Sequence, residues 1–369
     1  MKFICETEIL SQACQNVQRA VSIKTSIPAV ECIFIKALSN ELVLTGYDLE
    51  FGIYTSIPAR IEESGGILIN SKILCEILRK LPGEFVSIES DERHLANITS
   101  GEAKYSIMGM SPDEYPELPS VTGGLPVNIP QGMLKEMVRQ TIFAVAVNDA
   151  SKIVHTGIKI DIEERLISLI AVDGFRLAIR KEPIDYDGET LSFVVPAKTM
   201  SEVVKLITDD TAPVSLGVGK RHIVFEIGGY SVVSRLLEGD FLNYKTAIPT
   251  ISTTTVKVNT KLLIESIERT SLIISDKLTS PVRCLFNDNT IKISSSTAIG
   301  TANDKINAEI AGETVEIGFN NRFLLDALKV CDTDEIKIEL NTAVAPIIIL
   351  PPEGDSFIFL ILPVRLKAE

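Results

Sequence analysis

The chain has 369 residues, of which 45% are hydrophobic and 23% charged, with a formal net charge of -13. This length suits two or three domains of ordinary size, and the composition excludes a disordered or low-complexity chain. No run approaches about 20 uninterrupted apolar residues, and the opening MKFICETEIL carries acids where a secretory signal needs its apolar core, so a soluble cytoplasmic protein with no membrane contact is expected. The six cysteines, Cys5, Cys14, Cys32, Cys75, Cys284 and Cys331, include no C-x-x-C pair. They read as buried free thiols of a reducing compartment rather than as a metal or redox site.

Taken in chain order, apolar residues recur at three and four over 8–24, 71–82, 131–147, 197–209, 259–277 and 320–333, which predicts six one-sided helices. Short alternating segments lie between and after them, among them NELVLTGYDLEFGI, ERLISLIAVDGFRLAI and NTIKISSSTAIGT. First helices, second helices, Asp48 against Asp173, and Tyr115 against Phe241 are all offset by about 125 residues. That period is too long for a solenoid and points to three tandem copies of one α+β domain, at 1–122, 129–249 and 253–369. Proline and glycine clusters near 122–130 and 246–253 fit the linkers.

Within the middle copy, IAVDGFRLA places an Asp-Gly pair between two apolar runs, a signal for a two-residue hairpin turn. The flanking Val172, Phe175 and Leu177 are unusually apolar for a hairpin tip. Either another part of the fold covers them or a partner docks there.

A net negative chain argues against nucleic acid, but an average conceals distribution. The six predicted helices are net positive, with Arg19, Lys24, Lys72, Arg79, Lys80, Lys135, Arg139, Lys198 and Lys205 among their basic residues, so the strands and loops carry the acid. Helices of all three copies facing one anionic object would produce this division, and duplex DNA held by its phosphates needs no base-reading motif. No phosphate-binding glycine loop, zinc-protease motif or nucleophile elbow is present. A scaffold that needs no catalysis, metal or cofactor fits, while an enzyme with an inter-domain site and a protein-only repeat scaffold remain open.

Seven stretches, in order, carry a resemblance: MKF at 1–3, LTGYDLE at 44–50, DEYPELP at 113–119, AVDGFRLA at 171–178, SRLLEGDFLNYKTAIP at 234–249, EIGFN at 316–320 and LPVRL at 362–366. Together they resemble the bacterial sliding clamp family, the beta subunits of the replicative DNA polymerase holoenzyme, over essentially the whole chain. The resemblance implies a head-to-tail homodimeric ring with helices lining a central hole, sheets outside, and duplex DNA encircled without sequence preference. It implies partners in the replicative polymerase, the clamp loader, and other polymerases and repair proteins, each engaging through a short peptide. The matching groove residues are His155, Val172, Gly174, Phe175, Arg176, Leu177, Leu242, Thr246, Ala247, Leu360, Leu362, Pro363, Val364, Arg365 and Leu366. Lys24, Lys80, Lys152 and Lys198 are expected at the hole or its rim. Tyr105 and Ile107 are expected opposite Ile273 and Ile274 at the dimer contact. The chain departs from the family pattern at His155, where an aliphatic residue is expected, and in its extension by Lys367, Ala368 and Glu369.

Overall fold

The computed structural model describes residues 1–22, 25–121, 125–147, 152–274 and 280–366. It contains α1 (Thr7–Val17), α2 (Ser71–Leu78), α3 (Gln131–Arg139), α4 (Ala197–Lys205), α5 (Thr260–Ser271) and α6 (Asn321–Lys329). Three begin on an asparagine whose side chain accepts a backbone N–H of the first turn, Asn70 from Ile73, Asn259 from Leu262 and Asn320 from Arg322. Such caps satisfy donors that the helix leaves unpaired.

Each helix is shorter than its apolar period suggests. The Thr141 hydroxyl donates to Met137 O at 2.8 Å just past α3, and a short 3-10 turn follows at Ile142–Ala144. The turns after α1 and α3 still bury Ala20 and Ala144, so the apolar pattern outlasts the helix. One consequence is that Arg79 and Lys80 lie just beyond α2.

The chain divides into two compact units, Met1–Leu134 with Lys198–Leu236, and Lys135–Ala197 with Leu237–Glu369. The first unit holds a five-stranded sheet, in spatial order 60–63, 2–6, 85–90, 95–100 and 103–108. It also holds an eight-stranded sheet in the order 127–130, 213–218, 222–227, 230–235, 51–58, 41–47, 32–38 and 65–70. Helix α1 buries Leu10, Ala13, Cys14 and Val17. Its end comes so close to the sheet that a Cβ on Gly46 would meet Val17 O at 2.4 Å, which only glycine avoids.

The second unit repeats the plan. A nine-stranded sheet runs 191–196, 157–163, 166–172, 176–183, 357–361, 347–350, 335–340, 254–259 and 309–312, beside a four-stranded sheet of 300–307, 290–297, 282–287 and 315–319. Helix α5 buries Leu263, Ser266, Ile267 and Thr270 at the same spacing as α1.

The repeats are joined by strand pairing. In the first unit, Tyr230–Arg235 of the second repeat pairs antiparallel with Phe51–Pro58 of the first, Val232 opposite Ile53. In the second unit, Phe357–Ile361 of the third repeat pairs with Arg176–Pro183 of the second, Leu360 opposite Leu177. Each junction unites the last strand of one repeat with the strand after the second hairpin turn of the preceding one.

The six cysteines are free, five of them buried. Burial pushes the thiols of Cys5, Cys32 and Cys75 up to about 11 and those of Cys284 and Cys331 up to about 12. Cys14 is raised well above the ordinary value for the same reason. A thiol of pKa near 11 is only about 0.1% thiolate at pH 8. We therefore expect a disulfide reagent at pH 8 to leave all six thiols of the native protein unmodified and to titrate all six in denaturant. Rapid release of even one equivalent from native protein would contradict the burial.

Candidate functional site

The hairpin in IAVDGFRLA forms, but one residue later than the Asp-Gly signal suggests. The Asp173 N–H donates to Arg176 O at 3.3 Å, making Gly174 and Phe175 the two central residues. Gly174 has φ +88°, as the first position of this tight turn requires. Asp173 instead stiffens the turn, its Oδ1 accepting the N–H groups of Phe175 at 2.9 Å and Arg176 at 3.0 Å. Phe175 is held out at the tip, 59% exposed.

Beneath the tip, one face of the nine-stranded sheet is continuously apolar. Ile170, Val172, Leu177, Ile179, Ile348, Leu350, Ile358 and Leu360 form a buried cluster with Tyr244, and Phe241 and Ile248 pack against it. The connector from Phe241 to Ile248 is thus stapled to the sheet by Phe241, Tyr244 and Ile248, which leaves Leu242, Thr246 and Ala247 exposed beside them. The Tyr244 hydroxyl donates to Asp161 Oδ2 at 2.9 Å, and burial together with that carboxylate raises its pKa. Lys159 pairs with Asp161 at 3.2 Å and lies 5.4 Å from the Tyr244 ring centroid. His155 is buried under the connector, edge-on to Phe241 at 5.4 Å.

The C-terminal segment supplies the other side. The Leu362 N–H donates to Phe175 O at 2.9 Å and the Val364 N–H to Gly318 O at 2.8 Å. Leu362 is 38% exposed. Pro363 and Leu366 are partly buried and Arg365 exposed. Val172, Leu177 and Leu360 therefore form a floor, with Phe175 and Leu362 at its rim.

The turn is locked to α6 by Arg176. Its guanidinium meets Asp173 Oδ2 at 2.9 Å and Asp326 Oδ2 at 2.6 Å, and lies 4.5 Å from the centroid of Phe323. Phe175 stacks on Phe323 at 5.8 Å. Sequence reasoning missed Phe323, Asp326 and Tyr244. Only Tyr244 had a local signal, lying within the stretch 234–249 that carries the resemblance.

The first junction is an internal control for this reading. There Asp48 Oδ1 caps the N–H groups of Glu50 and Phe51, and the Arg235 N–H donates to Glu50 O at 2.9 Å. Glu50 and Arg235 thus occupy the places of Phe175 and Leu362, and they form an ion pair at 3.3 Å. The same backbone design carries charge at one junction and exposed apolar side chains at the other, so its geometry does not demand the apolar pair.

The other expected residues are dispersed. Lys80 and Lys198 lie in the first unit and Lys152 in the second, all exposed, whereas Lys24 lies outside the described residues, as do Lys367, Ala368 and Glu369. Lys198 is engaged by Asp48 at 2.6 Å. Tyr105 and Ile107 sit on the outermost strand of the five-stranded sheet, opposite Ile98 and Ala96. Ile273 and Ile274 follow α5, beside Leu272, which is 84% exposed.

Comparison with known proteins matches three successive family descriptions: DNA polymerase III beta subunit, N-terminal domain, over residues 1–119, central domain over 128–243, and C-terminal domain over 245–365. The beta sliding clamp of Bacillus subtilis is 33% identical over 377 residues, covering 99% of this chain and 100% of that protein. The crystal structure of the DNA polymerase sliding clamp from Bacillus subtilis superimposes with a TM-score of 0.97 at 33% identity, covering all of both chains. That of the beta subunit from DNA polymerase of Streptococcus pyogenes gives 0.94 at 28% identity, covering 99% of this chain and all of that one. With three tandem domains of one helix-and-sheet type matched from end to end, the chain belongs to the DNA polymerase III beta subunit family, the beta sliding clamps.

Proposed function

We propose that two copies of this chain close head to tail into a ring that encircles duplex DNA in the cytoplasm. The ring acts without catalysis, tethering the replicative polymerase and other DNA-processing proteins. Its domains are 1–122, 129–249 and 253–369. The observation that carries this reading is the count of junction strands. Three last strands and three post-turn strands make two junctions within the chain, leaving Ala103–Met108 and Gly300–Asn307 as outer strands. An open strand edge is a template for pairing with another chain. Exposed Met108 ends the first of these strands and exposed Ile299 immediately precedes the second.

The repeat also sets the register. Tyr105, opposite Ile98, corresponds to Val232, opposite Phe225. Ala302, opposite Ser295, corresponds to Ile53, opposite Gly46. The Thr297 hydroxyl accepts the Ile299 N–H at 3.3 Å, as Asp48 and Asp173 accept theirs. Since Val232 pairs with Ile53, Tyr105 pairs with the partner subunit's Ala302, and Ser106 with its Thr301. Ile107 continues the strand, and the partner's Ile273 and Ile274 close over the same side.

A closed ring holds DNA by topology, so its contacts to phosphate can be weak, and strong base contacts would stop it from sliding. Lys24, Lys80, Lys152 and Lys198 are the proposed DNA-facing cations. The clamp loader, the polymerases and repair proteins would insert short extended peptides between the turn, the connector and the C-terminal segment. Their bulky apolar side chains would remove Phe175, Leu242 and Leu362 from water.

Two measurements test these contacts. Ser106→Cys combined with Thr301→Cys should yield disulfide-linked dimers on mild oxidation, whereas Lys104→Cys with Thr301→Cys should yield far fewer, because facing Cβ atoms must lie within about 4.5 Å. Equal yields would contradict the register. Separately, Arg176→Ala removes a mostly buried guanidinium with two carboxylate partners. It should cost about 1–3 kcal/mol in denaturant unfolding. Calorimetry should show a synthetic apolar peptide from the organism's replicative polymerase binding about tenfold more weakly. Undiminished peptide affinity would contradict the groove.

A further inference from the structure

The EIGFN stretch, 316–320, is explained only in part by the groove. Ile317 and Phe319 are fully buried and Asn320 caps α6, but none of these needs a glycine at 318. The backbone there is an ordinary strand, and no turn asks for a positive φ. What crowds Gly318 is the C-terminal segment. Val364 bridges it antiparallel across the open edge of strand Val315–Phe319, the Val364 N–H donating to Gly318 O at 2.8 Å. A Cβ on Gly318 would lie 2.6 Å from Leu366 Cδ2, 2.8 Å from Val364 O and 3.1 Å from Leu366 Cγ. A contact under 3 Å with a backbone oxygen cannot be relieved by a side-chain rotation, so the segment itself has to move.

We infer that Gly318 is a positioning residue for partner binding: its missing side chain is the seat on which the C-terminal wall of the groove rests. The inference rests on the groove reading above. From Leu362 to Leu366 the wall has two recorded main-chain anchors, one to Phe175 and one to Gly318. Gly318 meets the wall through Val364 and Leu366, and so fixes where Val364 stands. The same short stretch then starts α6, which carries Phe323 and Asp326 to the turn. Both walls are thus mounted on one segment of the third repeat.

The test uses the full-length dimer, the synthetic polymerase peptide and two graded variants, Gly318→Ala and Gly318→Val. Calorimetry should show affinity falling about tenfold for alanine and further for valine. Hydrogen exchange should accelerate at the Val364 amide while the amides of Arg283–Phe286, on the other side of the same strand, keep wild-type protection. A merely structural defect would instead loosen strand 282–287 together with the segment, and that result would overturn the inference. Wild-type affinity in either variant would overturn it as well. Failure of the unaltered protein to bind the peptide would remove the groove reading, and this inference with it.

Discussion

The structure depends on main-chain pairing between open strand edges. Every repeat ends with a strand paired on one edge within that repeat and open on the other, and the strand after each repeat's second hairpin turn offers a further open edge. Unpaired edges carry rows of donors and acceptors that must be satisfied, and the chain satisfies them by pairing repeat with repeat. The junctions are continuous sheet rather than side-chain contacts: Tyr230 to Ser234 against Phe51 to Thr55, and Phe357 to Ile361 against Arg176 to Arg180. The strands Ala103–Met108 and Gly300–Asn307 are the corresponding edges without a junction in the chain, and in the proposed ring they pair with each other across subunits.

The proposed partner groove would be a by-product of this arrangement. Pairing Leu360 with Leu177 and Val172 with Leu177 aligns apolar residues from three strands, and the turn and C-terminal segment meet where the junction ends. At the first junction Glu50 and Arg235 form an ion pair in the equivalent place, so the two positions carry charge rather than apolar surface. At the second, Phe175 and Leu362 stay partly in water, a cost that peptide binding would recover. On the proposed function, specialisation would lie in two side chains placed on a shared backbone design.

Much of this was legible in the sequence, and the misses have physical causes. The threefold period and the one-sided helices are patterns repeated at fixed spacing, and the apolar hairpin tip is a local pattern of the middle repeat. The apolar period runs past the helix ends because the turns after α1 and α3 also bury apolar residues. The Asp-Gly pair points one residue too early because Asp173 acts through its side chain rather than as a central residue. Basic helix positions such as Lys198 and Arg139 looked available in sequence, yet Asp48 and Glu136 engage them. The latch from Arg176 to Asp326 spans 150 residues, and neither it nor the seat at Gly318 has any local signature.

The central claim is topological, and retention on DNA tests it most directly. Protein assembled on nicked circular duplex DNA should stay bound through gel filtration at salt concentrations that screen phosphate contacts. Cutting the same circle once with a restriction enzyme should release it, because a ring can then slide off an end. Equal retention on circular and linearised DNA, or loss from both at the same salt concentration, would contradict encirclement.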